Sequence, residues 1–251
     1  MTAVLSSELF KLRSTRGPWA VALAVIAVAS AMFALFATLV GRPGQPALTP
    51  ASLTELAAAP GLLAGAAALV FGLLLTTVEY RHATVLTTRL GHPRVTSLLV
   101  GRTAAAVLAG GALAAAVELI MVGGGAALLA SRDFPVELLH HGIPAAVFGV
   151  VAVGALLGVI GVAVGELLRS PALAIGAVTG WVFVVEGVLP VVLRNPELAR
   201  WLPASVARAA LTVGQPLAEG ALHPAAGLAA LAAYATVLWL AGLARSRLVD
   251  P

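Results

Sequence analysis

The sequence contains no cysteine, a single lysine, and charged side chains at only 10% of its 251 positions. Each scarcity excludes something. Without cysteine there is no disulfide, no thiolate nucleophile and no cysteine-ligated metal. The lone lysine, Lys11, stands in ELFKLR and not in a G-x-x-x-x-G-K-[ST] loop, so the chain has no phosphate cradle of that kind. Serines and histidines are few and scattered, and none builds a G-x-S-x-G or H-E-x-x-H motif. No catalytic set and no metal site is therefore expected. A soluble domain carries roughly 25% charged residues, and a chain this poor in charge could not cover its surface in water. Basic residues exceed acidic ones by 15 to 11 but are spread along the chain, which gives no nucleic-acid footprint.

What is present is apolar: 60% of the residues are hydrophobic. A bilayer core of about 30 Å needs about 20 apolar helical residues. Six runs meet that length, at about 18–40, 57–78, 103–129, 142–164, 172–193 and 225–243. The predicted fold class is an all-α membrane protein, one transmembrane domain over 1–251. The first run opens with Pro18 and Trp19, which suit a first helical turn and a lipid–water boundary. It is longer than the 7–15-residue core of a signal peptide and reads as a retained helix. Small residues such as Gly110, Gly111 and Gly123–Gly125 let membrane helices approach closely.

Six spans put both termini on one side, and arginine and lysine decide which. Ten of the 15 basic residues fall on the side of the termini and five opposite, three of those in the long segment 194–223. Both termini are expected in the cytoplasm of a cell-membrane protein. Leu5, Leu9 and Leu12 recur at helical spacing, with Glu8, Lys11 and Arg13 elsewhere, so residues 1–15 predict an amphipathic helix lying in the interface. Short interfacial or re-entrant helices are expected in the outer segment 194–223.

The segment 79–102 is the largest cytoplasmic loop and the most polar. A short charged helix there could grip another protein through charge-assisted hydrogen bonds. A solvated loop whose arginines only fix topology is the alternative. Glu118 and Glu186 interrupt the third and fifth runs, each about 21–23 Å from the cytoplasmic end at 1.5 Å per residue. A central ionisable residue costs about 2.5–3.5 kcal/mol on insertion scales and usually faces an interior. Both glutamates are candidates for a substrate path, and a bonded structural role is the alternative. Glu166, beside Arg169, reads as interfacial. His140 and His141, after Asp133 and Glu137, point in different directions on a helix and make a poor metal site.

Three features resemble the permease subunit of ABC-2-type exporters. SSELFKLRSTRGPW, Ser6 to Trp19, is similar to the interfacial helix leading into that family's first span. EYRHAT, Glu79 to Thr84, followed by HPR at His92 to Arg94, is similar to its first cytoplasmic loop. The six-span layout with a long outer segment before the last span also fits. The resemblance implies a coupling helix in 79–102 that docks an ATPase subunit, with Glu79, Tyr80, Arg81 and Thr84 as contacts. It implies two copies of an ATP-binding partner carrying ATP and Mg, no cofactor in this chain, a second permease subunit as homo- or heterodimer, and export of a hydrophobic or amphiphilic substrate. An intramembrane enzyme using Glu118 and Glu186, or a non-transporting membrane anchor or sensor, would have the same composition.

Overall fold

A computed structural model describes residues 2–40, 52–81, 95–134, 136, 138, 142–194, 196–212 and 221–249. All regular structure in these residues is helical. In chain order the helices are α1 (Thr2–Ser14), α2 (Arg16–Leu39), α3 (Ser52–Ala58), α4 (Gly61–Arg81), α5 (Val95–Glu118), α6 (Gly124–Ala130), α7 (Ile143–Leu168), α8 (Pro171–Gly180), α9 (Glu186–Leu193), α10 (Pro196–Ala199), α11 (Pro203–Leu211) and α12 (Pro224–Val249). Two five-residue π-helical turns, Leu119–Gly123 and Trp181–Val185, join α5 to α6 and α8 to α9.

Among the described residues, six helices are long and apolar enough to cross a membrane: Arg16–Leu39, Leu56–Arg81, Val95–Ala130, Ile143–Leu168, Pro171–Val192 and Pro224–Leu248. This is the make-up of an integral membrane protein. The third starts eight residues before the apolar run because Thr96, Ser97 and Arg102 continue the same helix beyond its apolar part. Residues 79–81 and 95–102 of the expected cytoplasmic loop are helical, since α4 runs to Arg81 and α5 begins at Val95. Residues 82–94, including Thr84, lie outside the described residues, as do Glu137, His140 and His141.

The fourth span, α7, is the centre of the bundle and packs on α4, α5 and α12. Glycine makes the approach possible. A β-carbon on Gly72 of α4 would meet the Gly158 carbonyl oxygen and lie 2.7 Å from the Val162 nitrogen of α7. One on Gly161 would meet the Leu69 carbonyl oxygen of α4. On the other side of α7, Gly154 faces Gly110 and Ala114 of α5. Backbone thus lies on backbone, the arrangement that gives van der Waals attraction its best geometry where lipid supplies no hydrophobic drive. Spans one and five are peripheral. Span five leaves Leu173, Phe183, Val184, Val191 and Val192 exposed, and span one leaves Leu23 and Leu35 exposed.

In the segment 194–223, α11 closes the far end of the bundle. Its Val206, Ala207, Ala210 and Leu211 are buried against the cores of α4, α7 and α12. Gly227 of α12 lets the α11 backbone come close, since a β-carbon there would lie 2.8 Å from the Ala210 nitrogen. At the opposite end both termini meet. Val4 of α1 fills the space that Gly101 of α5 leaves open, and Arg247 of α12 donates to the Thr96 hydroxyl at 3.1 Å.

Candidate functional site

The terminal end of the bundle holds a buried ionic cluster drawn from five helices. Glu79 ends α4, Arg102 lies in α5, Glu166 ends α7, Ser246 ends α12, and Glu8 and Lys11 come from α1. Glu8, Glu79, Arg102, Glu166 and Ser246 are all at most 5% exposed. The Arg102 guanidinium is the hub. One terminal nitrogen donates to Glu79 Oε2 and the other to Glu166 Oε2 at 3.3 Å, while its Nε stands 4.0 Å from Glu8 Oε1. Lys11 donates to Glu79 Oε1 and, at 2.7 Å, to Glu8 Oε1. Glu166 Oε1 also accepts from the Ser246 hydroxyl at 2.5 Å and the Tyr80 hydroxyl at 3.0 Å. Arg169, in a left-handed backbone conformation between α7 and α8, lays its guanidinium 5.1 Å from the centre of the Tyr80 ring.

This geometry is a lock. The fork of Arg102 suits bidentate holding of carboxylates, and here its prongs reach two different helices. The cluster borders the ends of spans two, three, four and six at one level, with the first-span entry helix strapped across it.

One expectation is corrected here and one refined. Glu8 does not sit on a solvated face of the N-terminal helix: it is completely buried between Val4 and Leu12, where Arg102 and Lys11 offset the burial of its charge. Glu166 lies near the end of its span, as expected, but is bonded inside the bundle and 2% exposed, because the turn of α7 that carries it faces α5 and α12. For Glu166 a signal existed. Glu79, Arg102, Glu166 and Ser246 flank the apolar runs on the same side, so the hydropathy pattern alone puts them at one depth.

Burial raises the Glu8 carboxyl above its ordinary value of 4.5; Arg102 and Lys11 pull it back and Glu79 pushes it further up. A raised acid binds its proton more tightly in the folded than in the unfolded chain. Its contribution to stability is therefore full below about 4.5 and lost as pH rises through the raised value. Relative to Glu8→Gln, the wild-type chain should gain thermal stability on acidification from neutral toward that range. Parallel melting curves of the two proteins across that pH range would show no such divergence if Glu8 were solvated.

Of the residues expected to dock a partner, Glu79 is turned inward and bonded within the chain, Tyr80 is half-buried on Glu166, and Arg81 is exposed. The two intramembrane glutamates are not brought together by any bond among the described residues. Glu186 caps α11. Both its oxygens lie 2.9 Å from the Ala204 amide, and Oε1 also accepts from the Trp181 indole at 2.9 Å. Pro203 has no amide to offer at the first helical position, so Ala204 supplies the first free donor, and the helix dipole favours a carboxylate there. The π turn Trp181–Val185 sets residues five apart in line, which brings Trp181 to Glu186. Replacing Glu186 by alanine should cost about 1 kcal/mol, the usual effect of losing a helix cap. Faster proteolysis within 194–212 should accompany it, and unchanged proteolysis would refute the capping role.

Glu118 differs from all of these. It is 3% exposed, and neither carboxyl oxygen has a hydrogen-bond partner among the described residues. The π turn Leu119–Gly123 begins immediately after it. Groups of His, Asp and Glu able to hold a metal ion are absent among the described residues.

No family model matches this chain, and no curated protein matches it.

Proposed function

We propose that this chain is the membrane-spanning subunit of an ATP-binding-cassette exporter of the ABC-2 type, moving a hydrophobic or amphiphilic substrate with ATP hydrolysed by a separate subunit. The supporting observation is the ionic cluster around Arg102. Glu79 stands just before residues 82–94 and Arg102 just after them, and the two are bonded to each other. A partner pushing on 82–94 therefore acts on a rigid node. The node passes the displacement to α1 and to the ends of spans two, three, four and six at once. Coupling of this kind needs discrete packed elements whose arrangement a partner can bias.

The N-terminal helix, with Phe10 and Arg13 exposed and Trp19 of α2 bonded to the Arg13 carbonyl, would lie in the cytoplasmic interface, and both termini would be cytoplasmic. Two permease subunits would enclose the pathway, and the partner would bring ATP and Mg. Arg81 and Thr84 serve as docking contacts, and Glu79 holds the platform from inside.

Co-purification from native membranes tests this. The tagged wild-type chain should bring down a nucleotide-binding ATPase. Arg81→Glu with Thr84→Ala should lose that partner while keeping the thermal stability of the wild type. Isolation of a stable wild-type protein with no ATP-binding chain would overturn the proposal in favour of a membrane enzyme or anchor.

A further inference from the structure

The corner between α1 and α2 is fixed on the bundle. Thr15 alone separates the two helices, with φ −99° and ψ 142°, so the chain turns there. Pro18 is buried on one side of the turn, and Val4 and Glu8 are buried on the other. The Trp19 indole reaches back across it and donates to the Arg13 carbonyl at 2.9 Å. Leu5, Leu9 and Leu12 pack on the core beside Leu99 and Leu243. The leucine stripe of α1 is thus spent on the protein, and a different stripe faces outward.

In α1 that stripe is Ser6, Phe10 and Arg13, exposed at spacings of four and three. In α2, Arg16, Trp19 and Leu23 are exposed at spacings of three and four. From Leu23 the same face continues as exposed Ala27, Ala31 and Leu35, an apolar strip suited to acyl chains. Arg16 therefore stands one turn beyond Trp19 at the end of that strip, the level at which headgroups cover the chains and tryptophan settles. The bond from Trp19 brings Arg13 to the same corner. Two guanidinium groups with Phe10 and Trp19 beside them make one exposed surface. Guanidinium matches phosphate oxygens in shape and charge, and a second positive group in a zwitterionic headgroup would be repelled here.

We propose that this corner binds an anionic phospholipid of the leaflet on the side of the termini, its phosphodiester held by Arg13 and Arg16 and its chains lying along Trp19 and Leu23. Because α1 also carries Glu8 and Lys11 into the ionic cluster, a lipid seated here bears on that cluster. This goes beyond the exporter reading and requires only that span one cross the bilayer. Its test needs no ATPase partner, so the two can fail separately.

The test is native mass spectrometry of the purified full chain in a non-ionic detergent, with phosphatidylglycerol and phosphatidylcholine of identical acyl chains. Wild type should bind its first phosphatidylglycerol about tenfold more tightly than phosphatidylcholine, the gain expected of two arginines at an anionic surface. Arg13→Gln with Arg16→Gln should bind both lipids alike, and its melting in detergent should match the wild type because both side chains are exposed. Arg16→Gln alone should lose part of the preference. Arg245→Gln, which removes another exposed cation near the C-terminal end of α12, should keep all of it. Equal binding of the two lipids by wild type would overturn the proposal. So would a preference that survives the double change, or one that falls as far in Arg245→Gln, because the anion would then be held elsewhere or by net charge alone.

Discussion

Arg102→Met is expected to be among the most destabilising single changes in this chain. The guanidinium is the shared cation of Glu79 and Glu166 and the second cation beside Glu8. Removing one partner of a buried pair strands the other charge in a low dielectric and costs about 3–5 kcal/mol. Here three carboxylates lose a partner, although Lys11 still serves Glu79 and Glu8. The loss should fall on the joint between α1 and the spans, so Arg102→Met should melt earlier in detergent and expose α1 to protease before the spans unfold. Arg102→Lys should lie between, since an ammonium is a single point of charge and cannot fork between two helices. A melting curve for Arg102→Met that overlays the wild type would mean that the cluster does not hold this end of the bundle.

The second large effect lies on the seam between α4 and α7. Gly161→Ala adds one methyl where the Leu69 carbonyl oxygen already stands, and the Leu69 carbonyl carbon and Leu73 nitrogen follow at 2.9 and 3.0 Å. All three atoms are backbone, so no side chain can swing away. The helices α4 and α7 must part, and the loss is shared by every contact along that seam. Overpacking costs about 1–3 kcal/mol where side chains can adjust, and this site should reach the upper end or beyond. Gly176→Ala is the matched control. A β-carbon there has nothing within 4 Å, and alanine is about 1 kcal/mol more favourable than glycine in a helix. Gly176→Ala should therefore be neutral or stabilising. Equal behaviour of the two variants in thermal unfolding would mean that the α4–α7 seam is not the core of the protein.

These sites differ in how far the amino-acid order betrays them. The six long helices were legible, because about 20 successive apolar residues have few other uses. Where those helices end was less legible, since the third begins eight residues before its apolar run. The helical nature of residues 2–14 could be read from Leu5, Leu9 and Leu12, but Glu8 looked like a surface residue among them. Its burial depends on Arg102, 94 positions away, and one-dimensional periodicity carries no information about that pairing. The partners of Glu166 were hidden for the same reason: Arg169 is its neighbour in sequence, and Arg102, Tyr80 and Ser246 are its neighbours in space.

The abundance of glycine announced close helix packing in general. It did not distinguish Gly161, pressed on a backbone carbonyl, from Gly176, facing open space. Nor did it separate Glu186, spent on the amide of Ala204, from Glu118, which has no partner among the described residues. The sequence by itself determined the solvent and the number of long apolar helices, because transfer from water to lipid depends on local composition. The tertiary structure decided which charges meet, which glycines touch and which glutamate stands alone. Those depend on how helices far apart in the chain face one another, and short-range bonds and contacts settle that only once the bundle is packed.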